Sequence, residues 1–511
     1  MQFAIDSSQS QLMAGQGDAP IAFQGAKILV GTGEVFDPGV LIIADGKIVA
    51  VGPADGTSIP VNADVRDMKG KVIIPGLVDT HSHLGVYPRP AVNSNSDGNE
   101  MSGPVQGIVR ALDSLNPFDP GIKMANAGGV TAANIMPGSG NVVGGQTIYV
   151  KLRGNSPEQM WIAARDVLGG LKMANGENPK RAYGGKGQAP ITRMKVAALQ
   201  RSAFLEAQHY RQKWDDYRKK QTEGKDEQPP EVDIALQPLV EVLEGRRTVH
   251  FHTHRADDIL TVLRLKREFK FDLLIQHGTE SYKVLDEIAA AGVPVSMTII
   301  DSPGGKAEVV DFTEQCGAEM ARKGIKVLIN TDDPVTESRF LLRTAAIAVR
   351  GGLSEELALK AITSNPAQVL RLDDRIGSLE QGKDADFAVL SGNPFSVYTR
   401  VLQTYIDGKK VFDLGDEKQR LYQTGGFALA DRSVLPPDIP LVQPLPAVAA
   451  PQGVSGHPNA TSASSAVLVL AGRLHTVSKG TIENAAILIR DGKIARWDRG
   501  IRSTFQTALP C

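Results

Sequence analysis

Residues 21–76 consist of short runs of apolar and β-branched residues that are separated by turn signals. One of these signals, Asp45-Gly46, stands between two apolar runs and predicts a two-residue hairpin turn. The same pattern returns in residues 371–414. Because neither stretch has enough strands to bury a face by itself, we expect the two to combine in one small β-sandwich.

Residues 77–370 have a different pattern, in which apolar runs alternate with stretches of helical spacing. The candidate strands are LVDTHSHL, GGVTAANIM, QTIYVKL, LGGLKMA, TVHFHTHR, FDLLIQHG, VPVSMTI and IKVLINTDD. Eight strands alternating with helices over roughly 290 residues is the count of a (β/α)₈ barrel, although an open doubly wound sheet would give a similar string. We therefore predict an α/β fold, a (β/α)₈ TIM-type barrel with a small β-sandwich built from both flanks of the barrel.

The C-terminal part of the chain has a third pattern. Residues 415–465 are rich in Pro, Ala and Ser and show no apolar periodicity, which predicts an extended linker. Residues 466–511 then begin by repeating the layout of residues 26–52, including a second Asp-Gly-Lys-Ile tetrapeptide. We interpret residues 466–511 as an incomplete second copy of the start of the β-sandwich, without chemistry of its own.

The composition narrows the range of partners. The 511 residues include 56 basic and 57 acidic side chains, so the chain lacks the basic charge of a non-specific nucleic-acid binder or of an arm that binds anionic membranes. It has no apolar run long enough to span a bilayer, and its first residues lack the basic and apolar regions of a signal peptide. We expect a cytoplasmic protein, or an exported one if the N-terminus is incomplete. The expected partner is a small-molecule or peptide substrate, with no nucleic acid and no membrane, and a homo-oligomer is left open.

The histidines carry the first indication of chemistry. Six of the nine fall at the downstream ends of predicted strands, namely His81, His83, His250, His252, His254 and His277. Residues two apart in a strand point to the same face, and in an α/β barrel these strand ends form the active-site face. Imidazoles from three strands could therefore converge on one ion, with carboxylates from Thr331-Asp332-Asp333 beside them. Since Cys316 and Cys511 are the only cysteines, a metal would need such ligands.

A set of motifs resembles a known family. The segments PGLVDTHSHL, GGVTAANI, HTHRADDI, QHGTE, NTDDP and AITSNPAQVLRLDDRIGSLEQGKDADFAVLSGNP are together similar to the amidohydrolase superfamily, in particular its imidazolonepropionase-like and prolidase-like branch. The resemblance covers about residues 21–414, and weakly residues 466–497. It implies a metal-bearing (β/α)₈ barrel joined to a β-sandwich that is made from both flanks of the barrel.

Carried over position by position, the resemblance implies a set of metal ligands, which are His81, His83, His252, His277 and Asp332. Two further histidines match no ligand position. His250 lies about 6.6 Å deeper along its strand than His252 and is expected in the core. His254 lies nearer the loop, and we expect it to contact the substrate.

The fourth strand offers two candidates for the group that bridges two ions in two-metal members of the family. Lys172 fits the spacing of a carboxylated lysine, and Glu177 lies at the loop end of the segment LGGLKMANGENPKR. Their separation by five positions places them on opposite faces if one strand runs through both. We prefer Glu177 as the ligand and keep Lys172 as the alternative. Without a bridging group the site would hold one metal.

The sequence also predicts two loops and the start of one helix near the expected site. The Gly-rich segments MPGSGNVVGGQ and DSPGGK follow predicted strands and could wrap a substrate with backbone N–H groups. The segment TDDPVTES predicts a helix with Pro334 at its first position and Asp333 as its cap, which leaves Asp332 free to face the metal.

This ligand set predicts a divalent metal, zinc by the chemistry of its donors, as one or two ions. Such an ion polarises a carbonyl and lowers the pKa of a bound water to about 7, and Asp332 can act as general base and then as general acid. We predict a metal-dependent hydrolase that cleaves a C–N bond of an amide, a peptide or a cyclic amide with a metal-activated water. Arg255 stands where deaminases of this superfamily carry a glutamate, which argues against amine release. The alternative is a non-catalytic metal-binding or scaffold protein on the same barrel.

Overall fold

The computed structural model describes residues 19–299, 305–430, 466–476, 480–490 and 492–499. The chain divides into two units, and the boundary between them follows Pro444. Within the described residues, no helix combines the length and the apolar character needed to cross a membrane.

The first unit holds seventeen strands and fourteen helices among its described residues. Its strands are β1 (Ile21–Leu29), β2 (Val35–Ala44), β3 (Lys47–Pro53), β4 (Asp64–Asp67), β5 (Val72–Pro75), β6 (Leu77–Ser82), β7 (Val130–Ile135), β8 (Val143–Gln146), β9 (Ile148–Lys151), β10 (Gly170–Ala174), β11 (Thr248–Thr253), β12 (Leu273–His277), β13 (Val295–Thr298), β14 (Val327–Asn330), β15 (Phe387–Leu390), β16 (Val401–Ile406) and β17 (Lys409–Asp413). Its helices are α1 (Ala111–Ser114), α2 (Pro120–Ala127), α3 (Pro157–Met160), α4 (Glu177–Gly184), α5 (Arg193–Thr222), α6 (Gln237–Leu243), α7 (Ala256–Phe269), α8 (Leu285–Ala291), α9 (Cys316–Arg322), α10 (Leu341–Arg350), α11 (Glu355–Ala361), α12 (Ser364–Val369), α13 (Glu417–Thr424) and α14 (Phe427–Ala430).

One mixed sheet of eight strands combines the two β-rich flanks of the chain. Its order is β17-β16-β15-β5-β1-β2-β3, with β4 beside β1. The flanks meet where β15 pairs antiparallel with β5, so that Val389 lies opposite Ile73. The rings of Phe23, Phe387 and Tyr405 pack there with centroids 4.5–5.3 Å apart. Aromatic pairs of this kind contribute about 0.5–1.5 kcal/mol each beyond the area that they bury.

The middle of the chain is an α/β unit with mixed sheets. One sheet has the order β14-β13-β12-β11-β10-β8, and a second has the order β6-β7-β9. Strands β10 to β14 run parallel to one another, and β6 runs parallel to β7. Their backbones and side chains are buried on both faces, as expected when helices cover a parallel sheet.

The third predicted strand, QTIYVKL, differs from the expectation. It forms β9, but β9 runs antiparallel to β7, and a further strand that the sequence pattern did not indicate, β8, pairs antiparallel with β10. The physical reason lies in the connection between β7 and β9, residues 136–147, which contains β8 and no helix. A parallel crossover usually contains a helix, so without one β9 returns antiparallel to β7.

The outer strands of the two sheets approach each other at their carboxyl ends. Just beyond β14, the Asp332 backbone N–H donates to His81 O at 2.9 Å, and the His83 N–H donates to Asp333 O at 3.1 Å. The carboxyl ends of β6 and β14 are therefore held together by main-chain hydrogen bonds, and this pairing positions their side chains. The helix predicted to begin at Pro334 starts later, since α10 begins only at Leu341.

Residues 415–465 were predicted to be an extended linker, but the first part of this segment forms the helices α13 and α14. Helix α13 is capped by Asp416, which accepts hydrogen bonds from two backbone N–H groups of the first turn. Leu421 and Tyr422 of this helix are buried, and the Gln423 side chain donates to Ala127 O of α2 at 2.9 Å. The sequence pattern did not indicate α13 because this helix has few apolar residues. Residues 431–465 lie outside the described part of the chain.

The second unit contains three antiparallel strands, β18 (Ala466–Thr476), β19 (Gly480–Arg490) and β20 (Lys493–Arg499), in that order. Strands β19 and β20 pair in the same way as β2 and β3. Arg490 lies opposite Lys493, just as Ala44 lies opposite Lys47. The register shifts at equivalent places, between Leu488 and Ile489 in β19 and between Ile42 and Ile43 in β2. The layout of the first β-strands therefore recurs in the backbone as well as in the sequence.

Candidate metal centre

Five imidazoles and one carboxylate gather at the carboxyl ends of four parallel strands. They are His81 and His83 at the end of β6, His252 and His254 at the end of β11, His277 at the end of β12, and Asp332 just after β14. All five histidines are buried. Their ligand atoms form two groups, each with all atoms within 4.8 Å of one another: one of His81, His83 and Asp332, and one of His252, His254 and His277.

The first group surrounds one carboxylate oxygen. His81 Nε2 and His83 Nε2 each lie 3.1 Å from Asp332 Oδ1. His83 Nδ1 lies 2.7 Å from Met136 O, and because a carbonyl can only accept, Nδ1 carries a proton. Burial, followed by the neighbouring Lys172 charge, lowers the pKa of His81 well below its usual value, so its ring is neutral. With Nδ1 protonated, a neutral His83 presents its Nε2 lone pair to the Asp332 carboxylate, and a cation between these two acceptors fits the residues present.

The second group is built from three rings in mutual contact. The ring centroids of His252 and His277 are 4.3 Å apart, and those of His254 and His277 are 4.6 Å apart in a stacked arrangement. Burial is the largest cause that lowers the pKa of all three imidazoles well below the usual value. His277 Nε2 is buried and has no hydrogen-bond partner among the described residues. A neutral nitrogen in this state is available as a metal ligand.

Of the two fourth-strand candidates, the structure brings Lys172 to the histidines. Lys172 is buried in β10, and its Nζ lies 2.8 Å from His81 Nε2. Burial lowers the pKa of this amine to about 7. Glu177 begins α4, its backbone N–H donates to Glu308 at 2.7 Å, and its side chain belongs to neither group of ligand atoms among the described residues. The strand ends at Ala174, so the alternation used to orient Glu177 does not reach that far.

A family model described as the amidohydrolase family matches residues 72–411. The chain belongs to the amidohydrolase family. This confirms the resemblance that its motifs indicate.

Individual relatives within the amidohydrolase family differ in length and identity. The amidohydrolase tasK of Hapsidospora irregularis is 31% identical over 400 residues, which are 75% of this chain and 41% of that protein, so the chain spans about two fifths of that relative's length. The imidazolonepropionase of Streptococcus pyogenes serotype M1 is 22% identical over 432 residues, covering 75% of this chain and 92% of that enzyme. The crystal structure of an amidohydrolase from Thermotoga maritima MSB8 is 40% identical with a TM-score of 0.72, and the match covers 77% of this chain and all of that one.

His250 belongs to neither of the two groups of candidate ligand atoms. It lies deeper in β11, where Asn134 Nδ2 and Gln276 Nε2 approach its Nδ1 at 3.2 and 3.1 Å, and the Tyr149 hydroxyl lies 3.4 Å from its Nε2. Burial lowers the pKa of His250 to about 3. Its nitrogens are engaged in a polar network of the core, below the site.

Several residues at the amidohydrolase site were not singled out by the sequence. Lys306 Nζ lies 2.8 Å from His254 Nε2, and Ser139 Oγ lies 2.9 Å from His252 Nδ1. Both belong to the two Gly-rich segments that follow predicted strands, so the loops were visible in the sequence. The sequence offered no signal for Thr298, whose hydroxyl lies 2.7 Å from His277 Nδ1.

Two of the candidate ligands have a strained backbone. His277 and Asp332 adopt φ angles of +72° and +51°, in the left-handed region that favours glycine. Non-glycine residues in this region cost about 1–3 kcal/mol and cluster at functional sites. The surrounding hydrogen bonds hold both residues in conformations that aim their side chains into the cluster.

Proposed function

We propose that this chain is a metal-dependent hydrolase that cleaves the C–N bond of an amide, a peptide or a cyclic amide in a small-molecule or peptide substrate. The observation that carries the proposal is the convergence of five imidazoles and Asp332 at one end of parallel strands. Family membership supports the same reaction class. The amines of Lys172 and Lys306 lie beside this cluster, each 2.8 Å from a histidine nitrogen.

The fold proposed for this reaction is a (β/α)₈ barrel, in which the two sheets of the α/β unit are two arcs of one cylinder. The main-chain hydrogen bonds between the ends of β6 and β14 support closure on one side. On the other side β8 and β9 follow each other directly, separated only by Thr147, and belong to different sheets. In this arrangement the antiparallel β8 and β9 together take the third strand position of the barrel.

The proposed metal ligands are His81, His83, His252, His277 and Asp332, with Lys172 as the bridging group in place of Glu177. When bound, a divalent ion such as zinc polarises the scissile carbonyl and acidifies water. Lys172 suits the bridging role because an amine with a pKa of about 7 is substantially neutral at physiological pH. A neutral amine can attack CO₂, forming an N–C bond and releasing a proton to solvent, and the resulting carbamate is an anionic ligand.

Asp332 is the proposed proton carrier. Breaking a C–N bond requires that a proton leave the attacking water and that a proton reach the departing nitrogen. Asp332 Oδ1 is at the centre of the first group, 3.1 Å from each of two imidazole nitrogens, and the side chain is only partly buried. A carboxylate in this position is suited to accept a proton from water and to donate it to the leaving nitrogen.

The test is turnover and metal content of the Asp332→Asn variant. Protein loaded with zinc or manganese is assayed against dipeptides, N-acyl amino acids and cyclic amides. We expect Asp332→Asn to retain metal and to lose about 10²- to 10⁴-fold in kcat, as expected when a general acid–base group is removed. Asp373→Asn is the matched control, because Asp373 forms a surface ion pair with Arg165. A near-normal rate for Asp332→Asn would reject this role. The absence of every divalent ion after reconstitution would reject the metal-dependent hydrolase itself.

A further inference from the structure

A buried arginine joins the two loops that carry the first ligand group. Arg89 lies in the loop after β6, six residues beyond His83, and only 9% of its side chain is exposed. Its Nη2 donates to Asp333 Oδ1 at 2.8 Å, in the loop after β14. Asp333 directly follows Asp332 in the chain. One guanidinium group therefore connects the loop of His83 with the loop of Asp332.

Asp333 is held by two further hydrogen bonds besides the one from Arg89. Its second carboxylate oxygen accepts the Ser338 N–H at 2.7 Å, and its carbonyl oxygen accepts the His83 N–H at 3.1 Å. Because the carboxylate is buried, with 3% of the side chain exposed, water cannot easily replace these partners. Asp332 is attached to this fixed residue by a peptide bond and His83 by a hydrogen bond, so both are held in one arrangement.

Asp332 depends on support from its neighbours because its backbone conformation is unfavourable by itself. Its φ of +51° lies in the left-handed region, where a non-glycine residue persists only when the surrounding structure holds it. The Asp332 N–H donates to His81 O at 2.9 Å, and its carbonyl oxygen accepts the Val335 N–H at 2.7 Å. These two bonds fix Asp332 directly, and the contact of Arg89 with Asp333 fixes the residue that follows it.

The other side of the Arg89 guanidinium faces a second buried carboxylate. Asp119 Oδ2 lies 3.8 Å from Arg89 Nη1. Asp119 is buried and accepts the backbone N–H groups of Gly85, Arg89 and Gly121. A Cβ atom added at Gly121, in the first turn of α2, would overlap with Arg89 Nη1. The position of the guanidinium is therefore set by Asp119 and by the absence of a side chain at Gly121.

We propose that Arg89 is a positioning residue, which acts through Asp333 to hold the Asp332 carboxylate beside His81 and His83, where metal binding and proton transfer require it. The inference rests on the proposed function, since Asp332 is the proposed ligand and proton carrier. It goes beyond the sequence patterns, which predicted only a helix cap for Asp333 and gave no role to Arg89.

The test compares Arg89→Met and Asp333→Asn with wild type, each loaded with Co²⁺. Arg89→Met removes the donors, and Asp333→Asn keeps an acceptor for the Ser338 N–H while removing the charge that binds Arg89. We expect each variant to lose about 10- to 100-fold in kcat with KM unchanged, as when an outer partner of a metal ligand is lost. The absorption bands of bound Co²⁺, which depend on the arrangement of its ligands, should shift in both. Arg110→Met is the control, because Arg110 forms an exposed ion pair with Asp113.

Three more variants separate positioning from stability. Gly121→Ala displaces the guanidinium without removing it and should change kcat and the Co²⁺ bands in the direction of Arg89→Met, although alanine ordinarily favours a helix over glycine. Arg89→Lys keeps the charge with a single donor group, so its values should lie between those of wild type and Arg89→Met. The double variant Arg89→Met/Asp333→Asn should be no slower than the slower single variant, because both changes break one contact. Circular dichroism checks that each variant is folded at the assay temperature.

The outcomes separate the inference from the proposed function. Wild type that binds no divalent ion overturns both, whereas unchanged kcat and Co²⁺ bands in folded Arg89→Met and Asp333→Asn overturn only the role of Arg89. A higher KM with unchanged kcat would place Arg89 on the substrate, and full additivity in the double variant would mean that it acts without Asp333; either result overturns the inference. If wild type binds Co²⁺ but hydrolyses none of the substrates, the Co²⁺ bands decide. If Arg89→Met does not fold, Asp333→Asn and Gly121→Ala decide by the same criteria.

Discussion

His277 shows how a single side chain is prepared for its task. Its Nδ1 is held by Thr298, its Nε2 has no partner among the described residues, and its backbone has a φ of +72°. The unpaired buried nitrogen and the positive φ are both unfavourable for folding alone. Together they present one nitrogen lone pair in one direction, which is the requirement for a preorganised ligand.

The Thr298 hydroxyl, which contacts His277 Nδ1 and donates to Asn330, should contribute to metal affinity. Thr298→Val keeps the shape of the side chain and removes the hydroxyl, so the Nδ1 proton loses its acceptor and the ring its fixed tautomer. We expect metal affinity to fall about 10- to 100-fold, as for other outer partners of metal ligands. Thr298→Ser retains the hydroxyl and should stay close to wild type. Competition with a chelating dye measures both variants, and equal losses for Val and Ser would show that packing, not the hydroxyl, is responsible.

Lys172 and Glu177 should differ in their contribution to metal binding. Lys172 lies beside His81, whereas Glu177 belongs to neither ligand group among the described residues. We therefore expect Lys172→Met to lower the amount of metal bound and Glu177→Gln to leave it unchanged. Elemental analysis after loading in the presence of bicarbonate measures both. Loss of metal from Glu177→Gln with retention in Lys172→Met would restore the assignment preferred from the sequence.

At the scale of elements, a buried lysine joins β9 to the eight-stranded sheet. Lys151 is fully buried, and its Nζ lies 2.7 Å from Asp384, 3.0 Å from Asp386, and in contact with Asp407. Asp384 and Asp386 precede β15 and Asp407 follows β16, so one ammonium group connects the α/β unit with the eight-stranded sheet. Arg153 forms a second ion pair with Asp407, at 2.7 Å.

We expect Lys151→Met to destabilise the protein strongly, because it leaves buried carboxylates without their counter-charge. Breaking one side of a buried ion pair costs about 3–5 kcal/mol. Lys27→Met is the matched control, since Lys27 is half exposed and lies 3.9 Å from Asp37, and such surface pairs contribute about 0–1 kcal/mol. Urea unfolding followed by circular dichroism compares the two variants. A loss for Lys151→Met no larger than that for Lys27→Met would contradict the connecting role.

Elements also show where sequence patterns succeed and fail. The parallel strands were predictable, because strands buried on both faces are continuous apolar runs of β-branched residues. The direction of β9 was not, because periodicity indicates a strand and carries no information about its neighbours. Helix α13 was missed for a different reason, since it buries only Leu421 and Tyr422 and is otherwise polar.

At the scale of the whole molecule, the buried carboxylates around Lys151 should make the free energy of unfolding depend on pH. Burial raises the pKa of Asp386 from 3.8 to about 6, against the lowering effect of Lys151. A carboxyl whose pKa is raised by folding binds its proton more tightly in the folded state. Its contribution to stability is therefore complete below about pH 4 and is lost as the pH rises through 6.

Asp386→Asn should remove this contribution. The amide oxygen can still accept the Asp407 N–H, which lies 2.7 Å from Asp386 Oδ1, while the titration disappears. We expect the difference in Tm between the variant and wild type to change in favour of the variant as the pH rises from 4 to 7. Thermal unfolding across that range measures it. A constant difference would mean that Asp386 does not titrate there.

The sequence by itself determined the pieces and their chemistry: where strands form, which histidines stand at their downstream ends, and which family the motifs resemble. These properties depend on local periodicity and on residue types, which are written along the chain. Only the tertiary structure decided which candidates meet. It brought Lys172 rather than Glu177 to the histidines, joined His254 to His252 and His277, and placed Lys306 on that group. These choices depend on where strands end and how distant loops approach, and those distances are set by packing of the whole chain.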